Sequence, residues 1–341
     1  MAIDNGNDLS ISNSNSNSSS NSTPITRFTG ISTYPSQNRL GSGFIITSST
    51  SHKKNHPSPY TPKPWIYFKK SPFFKLKKLI RNFPQLASKA PDTRGTCKVE
   101  FSLTFEDQTS LKSNPNYRLF LLSGIYDSLK SQNNNDVYIK FPHPLEIHFN
   151  KSLIDDNVKG IKDKPGTAKP ANLTKYVRDF PANNILELVY AFSKDDYLVF
   201  MYIVEIISCE EILSNIRKSN PRVLKLTTKN KIIEDYAMDD DLLGLSLSLS
   251  LICPLTYARM KYPAKSINCT HVQCFDCLNF LQLQEQAQTW SCPICSTSIN
   301  VDDLAIDDYV QEVIKQTDDE IHSVQLNQDG SWSFRKETDK E

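Results

Sequence analysis

The chain has 341 residues, with 39 lysines and arginines against 38 aspartates and glutamates, for a formal net charge of +1. That balance excludes a bulk electrostatic pull on nucleic acid, and a hydrophobic content of 38% leaves part of the chain outside any core. The greasiest run, Tyr197 to Ile207, is too short to cross a bilayer and contains Glu205, so no membrane partner is expected. No basic start followed by an apolar stretch marks a secretory signal. The expected setting is cytosolic or nuclear, where cysteines serve as thiols or metal ligands.

Residues 1–63 are rich in Ser and Asn, and the run Ser10 to Ser22 is almost purely so. Such a composition cannot bury enough apolar surface to offset chain entropy, which predicts a disordered tail. From Pro64 the chain reads as folded. Trp65 to Arg81 mixes aromatics with six basic residues and is read as a solvated basic face over a buried aromatic stripe. Val99, Phe101, Leu103 and Phe105 alternate with polar residues, the period of a half-buried strand. Tyr117 to Leu122, Val137 to Phe141, Leu145 to Phe149, Ile185 to Ala191 and Tyr197 to Ile207 read the same way, with turn-rich pieces at Ser131 to Asp136 and Lys162 to Pro170. Ser208 with Glu211 fits a helix capping box, with Ile212, Leu213 and Ile216 as the buried face. Residues 64–225 thus form one mostly-β domain, in which His143 and His148 have structural roles. Residues 226–244 read as a linker, within which Ile232-Ile233-Glu234-Asp235 has the composition of a segment that adds a strand to a partner's sheet edge.

Six of the eight cysteines lie between Cys253 and Cys295, while Cys97 and Cys209 stand alone as buried thiols. Cys269 and His271 form a Cys-x-His pair, and Cys292 and Cys295 a Cys-x-x-Cys knuckle. Four such ligands in two close pairs suit tetrahedral zinc. A helix from Phe275 to about Gln286, with Phe275, Leu278 and Leu281 facing inward, carries the chain from one pair to the other. In a full cross-braced pattern a second site would take Cys253, position 256, Cys274 and Cys277. Position 256 is Thr256, a poor ligand, so one zinc is expected and a second at Cys253, Cys274 and Cys277 is not.

The phrases RMKYPAKSINC, HVQCFD and TWSCPIC resemble the SP-RING of Siz/PIAS SUMO ligases, and DDLAIDDYVQEVI resembles the helix that trails it. Upstream, FKKSPFFKL, FPHPLEIHFN and KGIKDKPGTAKPANLT resemble the PINIT domain of the same family. The chain departs from the family at Cys277, where a small non-cysteine residue is usual, and at Asn279, where an aromatic is common. The resemblance implies a multidomain chain. A disordered tail at 1–63 precedes a PINIT-like domain at 64–225 and a linker at 226–244. A small α+β RING-like zinc domain, the SP-RING, follows at 245–300, with a short α/β extension at 301–341.

The implied function is that of a SUMO-protein ligase, which forms no covalent intermediate. It holds a SUMO-loaded conjugating enzyme and a protein substrate in a reactive geometry, so rate comes from positioning and no catalytic nucleophile is expected. By analogy with RING modules, Leu255, Leu278 and Pro293 would meet the conjugating enzyme. The extension through Ser331-Trp332-Ser333-Phe334 would contact SUMO. The alternative is a non-enzymatic zinc-binding transcriptional coregulator or chromatin scaffold built from the same domains. A nuclear address with a cytoplasmic fraction follows from the family, and without a recognisable SAP domain direct DNA binding is not expected.

Overall fold

The computed structural model describes residues 64–127, 135–219, 221–238 and 247–334. The tail at 1–63, most of the turn at Ser131 to Asp136 and the linker's Asp239 to Asp241 lie outside the described residues.

The first half of the described chain is two packed sheets. Strands β1 (Phe74–Leu79), β2 (Gln85–Ala87), β3 (Ala90–Phe101), β4 (Tyr117–Tyr126), β5 (Leu145–Phe149), β6 (Ser152–Leu153), β7 (Ala171–Asn172), β8 (Asn184–Ser193) and β9 (Asp196–Ile206) alternate with one helix, α1 (Phe105–Ser113). One sheet runs β1-β9-β4-β7 with β2 also paired to β9, and the other runs β3-β8-β5-β6. The core between them takes Leu119 and Leu121 from β4, Val199, Met201 and Ile203 from β9, and Leu186, Leu188, Ile147 and Phe149 from the facing sheet. The alternate residues of β4 and β9, Phe120, Leu122, Leu198 and Phe200, point the other way and pack under Ile66, Trp65 and Phe68. That double burial is why β4 and β9 read as nearly continuous apolar runs. Strand β1 sits at the sheet edge with Lys75, Lys77 and Lys78 exposed, as the basic-face reading of Trp65 to Arg81 requires.

Two readings of this half change. The alternation from Val99 breaks before Phe105, which is 70% exposed as the first residue of α1. The Thr104 side chain accepts from the Asp107 amide while the Asp107 carboxylate accepts from the Thr104 amide, so a capping box starts a helix there. Val137 to Phe141 forms no strand and contributes a single bridge, Phe68 to Val137.

The second half is a mixed α/β unit. It comprises α2 (Cys209–Lys218), α3 (Lys225–Met238), β10 (Leu247–Ser250), β11 (Pro263–Ser266), β12 (Phe275–Asp276), α4 (Cys277–Gln286), β13 (Leu304–Ile306), α5 (Asp308–Gln316), β14 (Ser323–Leu326) and β15 (Trp332–Ser333). The strands form two small sheets, β10-β14-β15 and β12-β11-β13. Ser208 caps α2 by accepting from the Glu211 amide, and Ile212, Leu213 and Ile216 are buried as the sequence predicts. Their burial, however, is in the core of this second unit, together with Phe275, Phe280, Leu281, Tyr309 and Val310.

The stretch read as a linker is largely the helix α3. Thr228, Ile232 and Tyr236 recur every four residues and form its buried stripe. The Tyr236 hydroxyl donates to the Leu326 carbonyl at 2.5 Å and accepts from the Leu247 amide at 3.0 Å. Ile232 to Asp235 is therefore helical, with Ile232 fully buried, and its backbone is not free to extend a partner's sheet. Ile232→Ala should cost about 2–5 kcal/mol of stability, whereas Ile233→Ala on the exposed side should stay within about 0.5 kcal/mol. Urea unfolding midpoints of the two variants check the contrast.

Candidate zinc centre and partner surface

The four residues singled out by spacing converge. The ligand atoms of Cys269, His271, Cys292 and Cys295 all lie within 4.8 Å of one another. Cys269 Sγ and Cys295 Sγ are 3.8 Å apart, and His271 Nε2 is 3.3 Å from Cys292 Sγ. A tetrahedral zinc with Zn–S bonds of about 2.3 Å sets sulfurs about 3.8 Å apart, so the donor set and its dimensions fit that ion. His271 Nδ1–H donates to the Gln273 carbonyl at 2.7 Å, which leaves Nε2 to face the cluster. The Gln273 side chain in turn accepts from the Ser250 amide and donates to the Ser250 carbonyl, both at 3.0 Å, tying the histidine loop to β10. The Thr297 hydroxyl and amide hold the exposed Cys295 thiol down at about 6, while burial and the Cys292 sulfur push Cys269 up to about 12.

The other three cysteines do not converge into a metal cluster among the described residues. Cys253, Cys274 and Cys277 are fully buried. Burial pushes the Cys277 thiol up to about 12 and raises Cys274 well above its ordinary value, so both stay neutral. Hydrogen bonds hold this half together. The Asp276 amide donates to Cys253 Sγ at 3.2 Å. The buried Asp276 carboxylate accepts from the amides of Lys261, Tyr262 and Asn279 at 2.8, 2.9 and 3.1 Å. Asp276 thus caps α4 and closes the loop leading into β11 at once. Because the cap starts the helix at Cys277, its buried face is Cys277, Phe280, Leu281 and Gln284. Phe275 is buried from strand β12, and Leu278 is half-buried at the helix edge, not inward as its spacing suggests.

Two loops share one backbone design. In Cys253–Ala258 the Cys253 amide donates to the Ala258 carbonyl at 2.8 Å and the Tyr257 amide to the Cys253 carbonyl at 2.9 Å. In Cys292–Thr297 the Cys292 amide donates to the Thr297 carbonyl at 2.8 Å and the Ser296 amide to the Cys292 carbonyl at 2.9 Å. Tyr257 and Ser296 both take positive φ, 56° and 61°. Thr256 occupies the place of Cys295, so the first loop keeps the knuckle fold without its second thiol. The repeated Cys-Pro-x-x of CPLT and CPIC is the sequence signal for this pairing. Leu255, Leu278 and Pro293 are all half-buried, and Leu255, Leu278 and Ile294, the counterpart of Leu255, pack against the same core. The Asn279 amide reaches the Thr256 hydroxyl at 3.4 Å, which joins the first turn of α4 to the first loop.

Beneath the cluster lies a buried ion pair. Lys265 Nζ is 3.0 Å from Asp307 Oδ2, with both side chains almost without exposure, and also donates to the His271 carbonyl at 3.1 Å. Asp307 further accepts from the Thr228 hydroxyl at 2.7 Å and caps α5 through the Tyr309 and Val310 amides at 3.0 and 3.1 Å. Removing this carboxylate strands a buried ammonium, so Asp307→Ala should cost about 3–5 kcal/mol. Asp307→Asn, whose single oxygen can keep the cap on Tyr309 and Val310 while its amide nitrogen replaces the oxygen that faces Thr228 and Lys265, should cost less, as thermal unfolding of the two variants would show.

Residues 65–205 match the PINIT domain family and residues 249–298 the MIZ/SP-RING zinc finger family. The E3 SUMO-protein ligase SIZ1 of Saccharomyces cerevisiae is 42% identical over 284 residues, which covers 81% of this chain and 30% of that protein. The chain therefore spans less than a third of that relative's length. The crystal structure of the S. cerevisiae SUMO E3 ligase SIZ2 matches with a TM-score of 0.71 at 37% identity, covering 77% of this chain and 98% of that one. That of SIZ1 matches with a TM-score of 0.70 at 38% identity, covering 82% and 99%. With both family matches and these relatives, the chain belongs to the Siz/PIAS family.

Proposed function

We propose that this chain is a SUMO-protein ligase that binds a SUMO-loaded conjugating enzyme and a protein substrate and promotes SUMO transfer to a substrate lysine. What supports the reading is the pair of matching loops, one with a complete ligand set, the first of which is joined through Thr256 to the first turn of α4. One zinc is held by Cys269, His271, Cys292 and Cys295, where it supplies a structural cross-link and no chemistry on the substrate. The protein's own residues supply position. Leu255, Leu278 and Pro293 form the apolar contact with the conjugating enzyme, and limiting the freedom of the thioester and the acceptor amine raises the rate. Residues 64–225 bear the substrate, 245–300 the conjugating enzyme, and 301–341 complete the surface facing SUMO. A nuclear address accords with this work.

The test is single-turnover discharge of a SUMO-loaded conjugating enzyme onto free lysine, with a ubiquitin-loaded enzyme as control. Wild type should accelerate SUMO discharge alone, and Leu255→Ala should lose about tenfold or more of that acceleration while keeping its zinc. No acceleration by folded, zinc-loaded protein would favour the scaffold reading instead. In parallel, metal analysis should give one zinc per chain for wild type and for Cys253→Ser, and little for His271→Ala. A second equivalent in wild type, lost in Cys253→Ser, would overturn the one-ion assignment.

A further inference from the structure

Adjacent side chains at the start of β1 are anchored in different bodies. Phe74 meets Phe120 edge-on, with centroids 5.5 Å apart, in the outer cluster of the β-sandwich. Phe73, 5% exposed, lies instead in the core of the zinc domain. There it stacks on Trp290 with centroids 6.0 Å apart and planes 24° from parallel. Trp290 meets Phe280 edge-on at 6.0 Å, and Phe280 packs on Phe275 at 4.7 Å. The Trp290 carbonyl accepts from the Ile299 amide at 2.8 Å, two residues ahead of the Cys292 knuckle. A residue of the sandwich is therefore built into the aromatic stack that supports the zinc loop.

The chain crosses between the bodies at the same point. Strand β9 ends at Ile206 and α2 begins at Cys209. The Ile207 amide between them donates to the Phe73 carbonyl at 2.8 Å, so the two crossings are bonded to each other. Around this joint the contact is sparse. A cleft of about 370 Å³ opens on one side, between Phe74, Lys169 and Gln286. Another of about 490 Å³ opens beside Lys70, Trp290 and Ser298. Beside that backbone bond, the polar contact across the joint among the described residues is light: Lys169 Nζ donates to Gln286 Oε1 at 3.1 Å. With clefts on its flanks and the Ile206–Cys209 crossing at its back, the joint has Phe73 as the buried sandwich residue in the zinc-domain core among the described residues.

We propose that Phe73 is a positioning residue. Its stack on Trp290 pins the sandwich to the zinc loop so that the two move as one body and present an acceptor lysine on the sandwich from one fixed direction. The second half of this statement rests on the ligase reading, and the first half does not. The test uses the full chain in two arms. In the first, spin labels attached to unnatural amino acids at the exposed positions Lys151 and Gln282 report the distance between the bodies by pulsed dipolar EPR. Wild type and Phe73→Tyr should give one narrow distribution. Phe73→Ala should broaden it at least twofold with zinc content unchanged, and an equally narrow distribution in Phe73→Ala would overturn the proposal.

In the second arm, a SUMO-loaded conjugating enzyme modifies the chain's own lysines, read by mass spectrometry alongside discharge to free lysine. Phe73→Ala should keep free-lysine discharge within about twofold while SUMO spreads to sandwich lysines that wild type leaves untouched. An unchanged site pattern with a broadened distance would overturn the acceptor half. Failure of wild type to discharge at all would remove the ligase reading and that half with it, and leave the distance measurement to decide the pin.

Discussion

A carboxylate with no exposure to solvent, Asp307, is the constraint on which the zinc domain is built. A buried charge is tolerated only when its oxygens are occupied and an opposite charge is at hand, and here each condition is met by a different element. Lys265 from β11 supplies the charge, Thr228 from α3 a hydroxyl, and the first turn of α5 two amides. Lys265 then reaches on to the His271 carbonyl, so the histidine arm of the metal cluster is fixed by the same network. Directional bonds of this kind select one arrangement of the four helices where apolar packing alone would permit several.

The two halves of the zinc domain solve one problem by different means. Around Cys292 the loop can be cross-linked by metal to the loop between β11 and β12. Around Cys253 the same loop geometry is kept, and Asp276 does the linking with three backbone amides. A carboxylate accepting several amides is a fixed joint that needs no cofactor, and it fits a loop from which the second thiol has been lost.

The sequence was most readable where chemistry or period is local. Cys269, His271, Cys292 and Cys295 could be paired because short spacings oblige both ligands of a pair to point one way. Strands such as β5, β8 and β9 followed their apolar patterns closely, and Ser208 announced α2. Other features were harder to see. Phe105 continues the alternation of β3, yet the Thr104–Asp107 cap turns the chain into a helix first. The stripe of α3 is a single row, Thr228, Ile232 and Tyr236, too narrow to separate a helix from a polar linker. Leu278 and Phe280 exchange roles because Asp276 sets the helix start, and the reach of Asp276 to Lys261 and Tyr262 depends on a fold already made. The pairing of CPLT with CPIC was present as a repeat, although one member has lost a ligand.

The two recognisable modules end and begin at residues 205 and 249, but the boundary between them in space lies elsewhere. Helices α2 and α3 fall in the gap, and both bury their apolar faces in the zinc domain, as does Phe73 from within the PINIT match. Modularity here is thus a property of sequence signatures and not of folding units. A zinc finger inherited without residues 206–248 would arrive with one wall of its core missing. A lineage that shuffled these domains would therefore have to carry the unmarked segment along, and selection on it would track the finger it encloses.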